Sequence, residues 1–171
     1  MKKTKTYENF PLWIVALTNL FSLSIYLIGL YIFSRFGILF AVFFALYIIW
    51  TEFRLVTKSC RNCYYYGKFC AFGRGKCCSL LFKKGSPKRF VKRKVTMKDL
   101  IPDFLLTILP MIAGAILLIY DFSWCILALI AFLIVFGFFG NAVIRSSFAC
   151  KYCKQRKIGC PAEKLFKKKN K

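Results

Sequence analysis

The chain contains no histidine. That absence removes haem ligation through imidazole, the usual zinc-hydrolase sites, the H-E-x-x-H motif and histidine acid–base catalysis. Acidic residues are almost as scarce: six in 171 residues, against 28 Lys and Arg, for a formal net charge of +22. They are Glu8, Glu52, Asp99, Asp103, Asp121 and Glu163, and none falls midway along an apolar run. Ionisable groups at bilayer depth mark ion and proton routes, so their absence weakens a transporter reading. Glu52, Asp99 and Asp103 stand at the ends of apolar runs, where anchoring or pairing with Arg54 or Lys98 is the expected role. A phosphate loop is also missing: the glycine-containing stretch 72–76 lacks the G-x-x-x-x-G-K-[ST] spacing and reads as a turn between cysteines.

What the chain does have is apolar residues and positive charge, kept apart. It is 58% hydrophobic, with a mean hydropathy of +0.56. Of its 28 basic residues, 27 lie in three segments outside the apolar runs. Neither a disordered chain, nor a secreted disulfide miniprotein, nor a soluble nucleotide-binding enzyme combines these features. A small integral membrane protein does.

Four uncharged runs carry the membrane argument: residues 9–34, 36–51, 104–120 and 122–144, of 26, 16, 17 and 23 residues. A helix needs about 20 apolar residues to cross a hydrocarbon core roughly 30 Å thick. The second and third runs reach that length only if flanking charged side chains extend outward to the interface. Expected helices cover about 10–33, 36–53, 101–120 and 122–144. The first follows Lys2, Lys3 and Lys5, as a secretory signal would, but its length and lack of a small-x-small cleavage site favour a retained anchor.

Orientation follows from the basic residues. Three lie before the first run, fourteen in 54–98, ten from Arg145 onward and one, Arg35, in the first turn. With four spans, 27 of them fall on one face of the membrane and one on the other. The positive-inside tendency makes the richer face cytoplasmic, with both termini, and the plasma membrane is the default location.

The chain also repeats. Cys60, Cys63 and Cys70 are spaced C-x2-C-x6-C, and Cys150, Cys153 and Cys160 repeat that spacing 90 residues later, each set after a helical hairpin. Arg54 and Arg145 precede the two sets, and Leu-Phe-Lys-Lys follows each, at 81–84 and 165–168. The expected fold is therefore all-α: four transmembrane helices as two parallel-repeat hairpins, each followed by a small cysteine-clustered cytoplasmic lobe. The first repeat is 1–98, with a basic loop 54–98, and the second is 99–171, with a basic tail 145–171. An even number of spans per unit relates the halves by a pseudo-two-fold axis along the membrane normal.

Of nine cysteines, Cys125 lies in an apolar run and reads as a packing residue. The other eight, with Cys77 and Cys78, fall on the expected reducing side, which argues against disulfides. Free thiols in such cationic loops are expected to have lowered pKa values and to oxidise readily. Metal ligation makes them quiet. Cys77 and Cys78 complete two four-sulfur sites, one each, or one of them closes a single site while Glu163 or an open position serves the second triad. Tetrahedral sulfur suits structural zinc, the favoured cofactor, or an iron–sulfur cluster, for which Cys160-Pro161 is a faint echo of the ferredoxin ending.

The favoured function is a non-catalytic, metal-binding membrane scaffold or small subunit of a membrane complex. An iron–sulfur electron-transfer protein is the first alternative, and a small transporter or lipid-modifying enzyme the next. Expected partners are anionic lipid headgroups beside the basic run 83–98, and a membrane protein or second copy of the chain. The charge would attract nucleic acid, but a membrane-tethered loop needs no such role. Thr18, Asn19 and Ser22 in the first span, and Asn141 in the fourth, read as inter-helix hydrogen-bonding groups.

Overall fold

The computed structural model describes residues 6–93, 95–161 and 163, with Met97 described by its backbone. Lys2, Lys3, Lys5, Lys94, the 165–168 match and the basic tail beyond Glu163 lie outside the described residues. The protein is 77% helical, with no strand among the described residues. Four helices are long and apolar enough to cross a membrane, which fits an integral membrane protein. In hydrocarbon every backbone group must be satisfied within the segment, so uncharged runs of this length fold as helices.

Helix α1 is Leu12–Ser34 and α2 is Ile38–Lys58. Two short helices follow, α3 (Arg74–Leu81) and α4 (Pro87–Lys92), before the long α5 (Met97–Tyr120). The last span begins as α6 (Trp124–Ile134) and widens into π-helical turns at Val135–Gly140 and Ile144–Cys150, on either side of α7 (Asn141–Val143). A final helix, α8, is Lys154–Gly159.

The expected helices began about two residues early at the first, second and fourth spans, but the end of the second, the start of the third and the end of the fourth fell short. Helix α2 runs through Glu52 and Arg54 to Lys58, because both charges find partners without leaving the helix. The Tyr26 hydroxyl donates to Glu52 Oε1 at 2.6 Å, and Arg54 Nη2 donates to the Asp99 carbonyl at 2.8 Å. Helix α5 starts four residues earlier than expected. Thr96 opens it, and the Asp99 carboxylate accepts the Thr96 N–H at 3.0 Å, half of a capping box. The same carboxylate lies 3.7 Å from Arg93 Nη2, so its charged partner here is Arg93.

The chain divides into two compact units. One comprises Leu20–Glu52 and Leu100–Val143, the apolar helical part. Its core is Ile25, Ile32, Ala113 and Leu133. Helices approach closely at small residues: a Cβ added to Gly29 would sit 2.5 Å from the Phe44 ring, and one at Gly114 would sit 2.9 Å from Ile130. Large apolar side chains such as Ile38, Leu46, Ile119 and Phe139 point outward, the surface expected of a lipid-facing bundle.

The other unit comprises Met1–Asn19, Phe53–Asp99 and Ile144–Lys171. It holds every cysteine except Cys125. Its core is Phe10, Ile14, Val15, Tyr65, Ala71 and Ala149, and Cys63, Cys70 and Cys153 pack against it.

Candidate functional site

The two cysteine clusters belong to one structure, and the residues that hold them together are not cysteines. Residue Cys60 lies in a single 3-10 turn, Cys60–Asn62, that continues the end of α2. Cys150 ends the last wide turn of the fourth span, and Cys153 caps α8. The first cysteine of each cluster thus sits at the end of a membrane-length helix.

Tyr65 is 2% exposed and ties three chain segments. Its hydroxyl donates to the Tyr7 carbonyl at 2.6 Å and accepts the Lys154 N–H at 2.9 Å. Tyr7 reaches the second cluster as well, its N–H donating to the Tyr152 carbonyl at 3.0 Å. Gln155, 4% exposed, accepts the Tyr64 N–H at 2.7 Å and the Cys63 thiol at 3.7 Å, while its own amide donates to the Gly159 carbonyl at 3.1 Å. Sequence reasoning singled out neither residue. The one available signal was that Gln155 is the chain's only glutamine.

The stretch 72–76, expected as a turn, is one only at its start. Gly73 has φ of +69°, a conformation that favours glycine, and it begins α3. Gly75 lies against the Tyr65 and Lys68 carbonyls, where a Cβ would collide with backbone. Adjacent Cys77 and Cys78 therefore ride on a helix and point apart: Cys78 is fully buried and Cys77 is exposed. The Cys78 thiol donates to the Val56 carbonyl at 3.9 Å.

The expectation of lowered thiol pKa values fails at these positions. Burial, reinforced by Cys153, Cys70 and Cys160, pushes the Cys63 thiol up to about 12, against an opposing hydrogen bond with the Tyr65 backbone. Burial likewise raises Cys78 and Cys153. At Cys78 the loss of solvent outweighs the opposing charge of nearby Arg61. Cys125, expected from the sequence to be a packing residue, is instead exposed on α6.

Among the described residues, no three Cys, Asp or Glu side chains converge as a metal-binding group. The thiols of Cys63 and Cys78 are directed at amide and carbonyl oxygens instead, so ligation requires side-chain rotation about χ1. Glu163, the possible fourth ligand of the second triad, pairs with Arg156 Nε at 3.2 Å. The chain matches no known family model, no curated protein and no solved structure.

Proposed function

We propose that the protein is a non-catalytic membrane protein whose cysteine-rich unit is organised by structural zinc, serving as a scaffold or small subunit of a membrane complex. One observation carries this reading. Two clusters with the same spacing, 90 residues apart, fold into one unit, with Cys63 and Cys153 against the same core and Gln155 between them. Eight thiols in one small unit, in a reducing compartment, gain most from a metal that neutralises and orders them.

The ligand sets we favour are Cys60, Cys63, Cys70 and Cys78 for one ion, and Cys150, Cys153 and Cys160 with Glu163 for the other. Cys78 is preferred to Cys77 because it is the inward member of the pair. The parallel repeat is part of the proposal, supported by each cluster starting where a membrane-length helix ends. So is the orientation, which places the cysteine unit and both termini in the cytoplasm, facing away from the outside of the plasma membrane.

The test is substitution with metal analysis. Cys63→Ser and Cys153→Ser should each lower bound metal, whereas Cys125→Ser should leave it unchanged. Equal metal content in all three variants would contradict the assignment.

A further inference from the structure

Arg93 is drawn back onto the end of α2. Its Nη1 donates to the Lys58 carbonyl at 3.0 Å and to Ser59 Oγ at 3.1 Å. This contact helps shape an open cleft of about 480 Å³ beside α4, lined by Lys58, Asn62, Lys88, Arg89, Phe90, Lys92 and Arg93. Five of these seven side chains are cationic, and among the described residues no carboxylate lines the cleft. Asp99 pairs with Arg93 at 3.7 Å. Like charges brought together this way repel one another unless an anion sits among them.

The position of the cleft says which anion. Lys58 is the last residue of α2, and on the same stretch of that helix Phe53 is exposed. The Phe82 ring, just past α3, packs edge-on against Phe53 with centroids 5.5 Å apart. On α3 itself, Leu80 and Leu81 are 82% and 72% exposed. Both α3 and α4 pack on the Cys60–Asn62 turn. Exposed Leu80 and Leu81, the Phe53–Phe82 ring pair and a basic cleft, all within one unit, combine apolar surface for acyl chains with cations for a phosphate.

From this arrangement we propose that the cleft formed by Lys58, Asn62, Lys88, Arg89, Lys92 and Arg93 binds the phosphate headgroup of an anionic phospholipid. A soluble phosphate compound would use the cations but not Leu80 and Leu81. The proposal rests on the membrane reading of the four helices and is independent of any metal. Arg93, through its contacts with Lys58 and Ser59, is held in place to meet the headgroup, whereas Lys88, Arg89 and Lys92 are exposed and adaptable.

The experiment uses the full-length protein in nanodiscs of phosphatidylcholine, with increasing fractions of phosphatidic acid or phosphatidylinositol phosphate carrying a fluorescent acyl chain. Energy transfer from the protein's tryptophans reports lipid held at the site. The K88Q/R89Q/K92Q variant, altered only at exposed side chains, should lose at least about tenfold in apparent affinity. The charge-matched K76Q/K151Q/K157Q variant should change by less than about twofold. Inorganic phosphate and a soluble inositol phosphate should fail to displace the lipid at millimolar concentration. Equal losses in both variants would reduce the effect to diffuse surface charge and overturn the site. Displacement by inorganic phosphate would overturn the lipid as its ligand, and no loss in either variant would remove the cleft from consideration. Unchanged thermal unfolding of both variants excludes misfolding as a cause.

Discussion

The side-chain oxygen of Gln155 accepts the backbone N–H of Tyr64 at 2.7 Å, across 91 residues of sequence. A buried N–H must be paired, and here the pairing partner lies in the other cysteine cluster. The same oxygen also receives the Cys63 thiol. This amide, together with the Tyr65 hydroxyl that accepts the Lys154 N–H, holds the two clusters together.

Replacing Gln155 by Ala should orphan the Tyr64 N–H and cost about 1–3 kcal/mol of the stability of this unit. Amide exchange at Tyr64 and at residues 152–155 should accelerate together. Faster exchange at Tyr64 alone would mean that the clusters are held by other contacts.

Tyr65→Phe keeps the buried ring and removes both hydroxyl hydrogen bonds, to Tyr7 and Lys154. The expected loss is again about 1–3 kcal/mol, read by chemical unfolding of the solubilised protein. Gly75→Ala should cost at least as much, because its Cβ meets backbone carbonyls that cannot rotate away. A Gly75→Ala protein of unchanged stability would contradict the packing of α3 on the 65–68 turn.

Glu8 and Lys154 form an ion pair at the exposed edge of the same unit. The hydrogen bond from Lys154, with its charge and that of Lys68, holds the Glu8 carboxyl below the ordinary carboxylate range. A carboxyl with a lowered folded-state pKa stabilises above its unfolded value of about 4.5, and that contribution is lost as pH falls through the folded value. Protection of the Tyr7 N–H, bonded to Tyr152, should therefore weaken as the medium is acidified below pH ~4.5. Lys154→Met should flatten this dependence, and an unaltered pH profile in that variant would rule out the pair as its source.

The orientation yields a direct labelling outcome. Chemical or peptide tags introduced at positions 36 and 123, in the two short turns, should be accessible from outside intact cells. A tag at position 92 should not be. Labelling at position 92 from outside would reverse the topology.

The four spans were legible because composition alone decides them: uncharged runs of 16–26 residues in so short a chain have few other folds open to them. Their ends were not, since Glu52, Arg54 and Asp99 stay helical through tertiary partners that lie far away in sequence. The wide turns of the fourth span left no pattern to read. Cysteine spacing located the two clusters but not what joins them. Tyr65 resembled its neighbours Tyr64 and Tyr66 in sequence, and only the fold separates the buried ring from the others. Cys77 and Cys78 were indistinguishable until α3 placed one inside and one out. The thiol pKa direction was misjudged for a related reason: net charge is visible in sequence and burial is not.

Metal content tests the central claim most directly. The full-length protein should be purified anaerobically without added metal or chelator, then analysed for zinc, iron and acid-labile sulfide beside the Cys125→Ser variant. The account predicts about two zinc per chain, no visible absorption, and seven ligand thiols (those of Cys60, Cys63, Cys70, Cys78, Cys150, Cys153 and Cys160) that become alkylated only after chelation. Iron with equimolar sulfide and a colour bleached by dithionite would replace structural zinc by electron transfer. Protein free of metal, with all eight clustered thiols open to alkylation, would contradict the account outright.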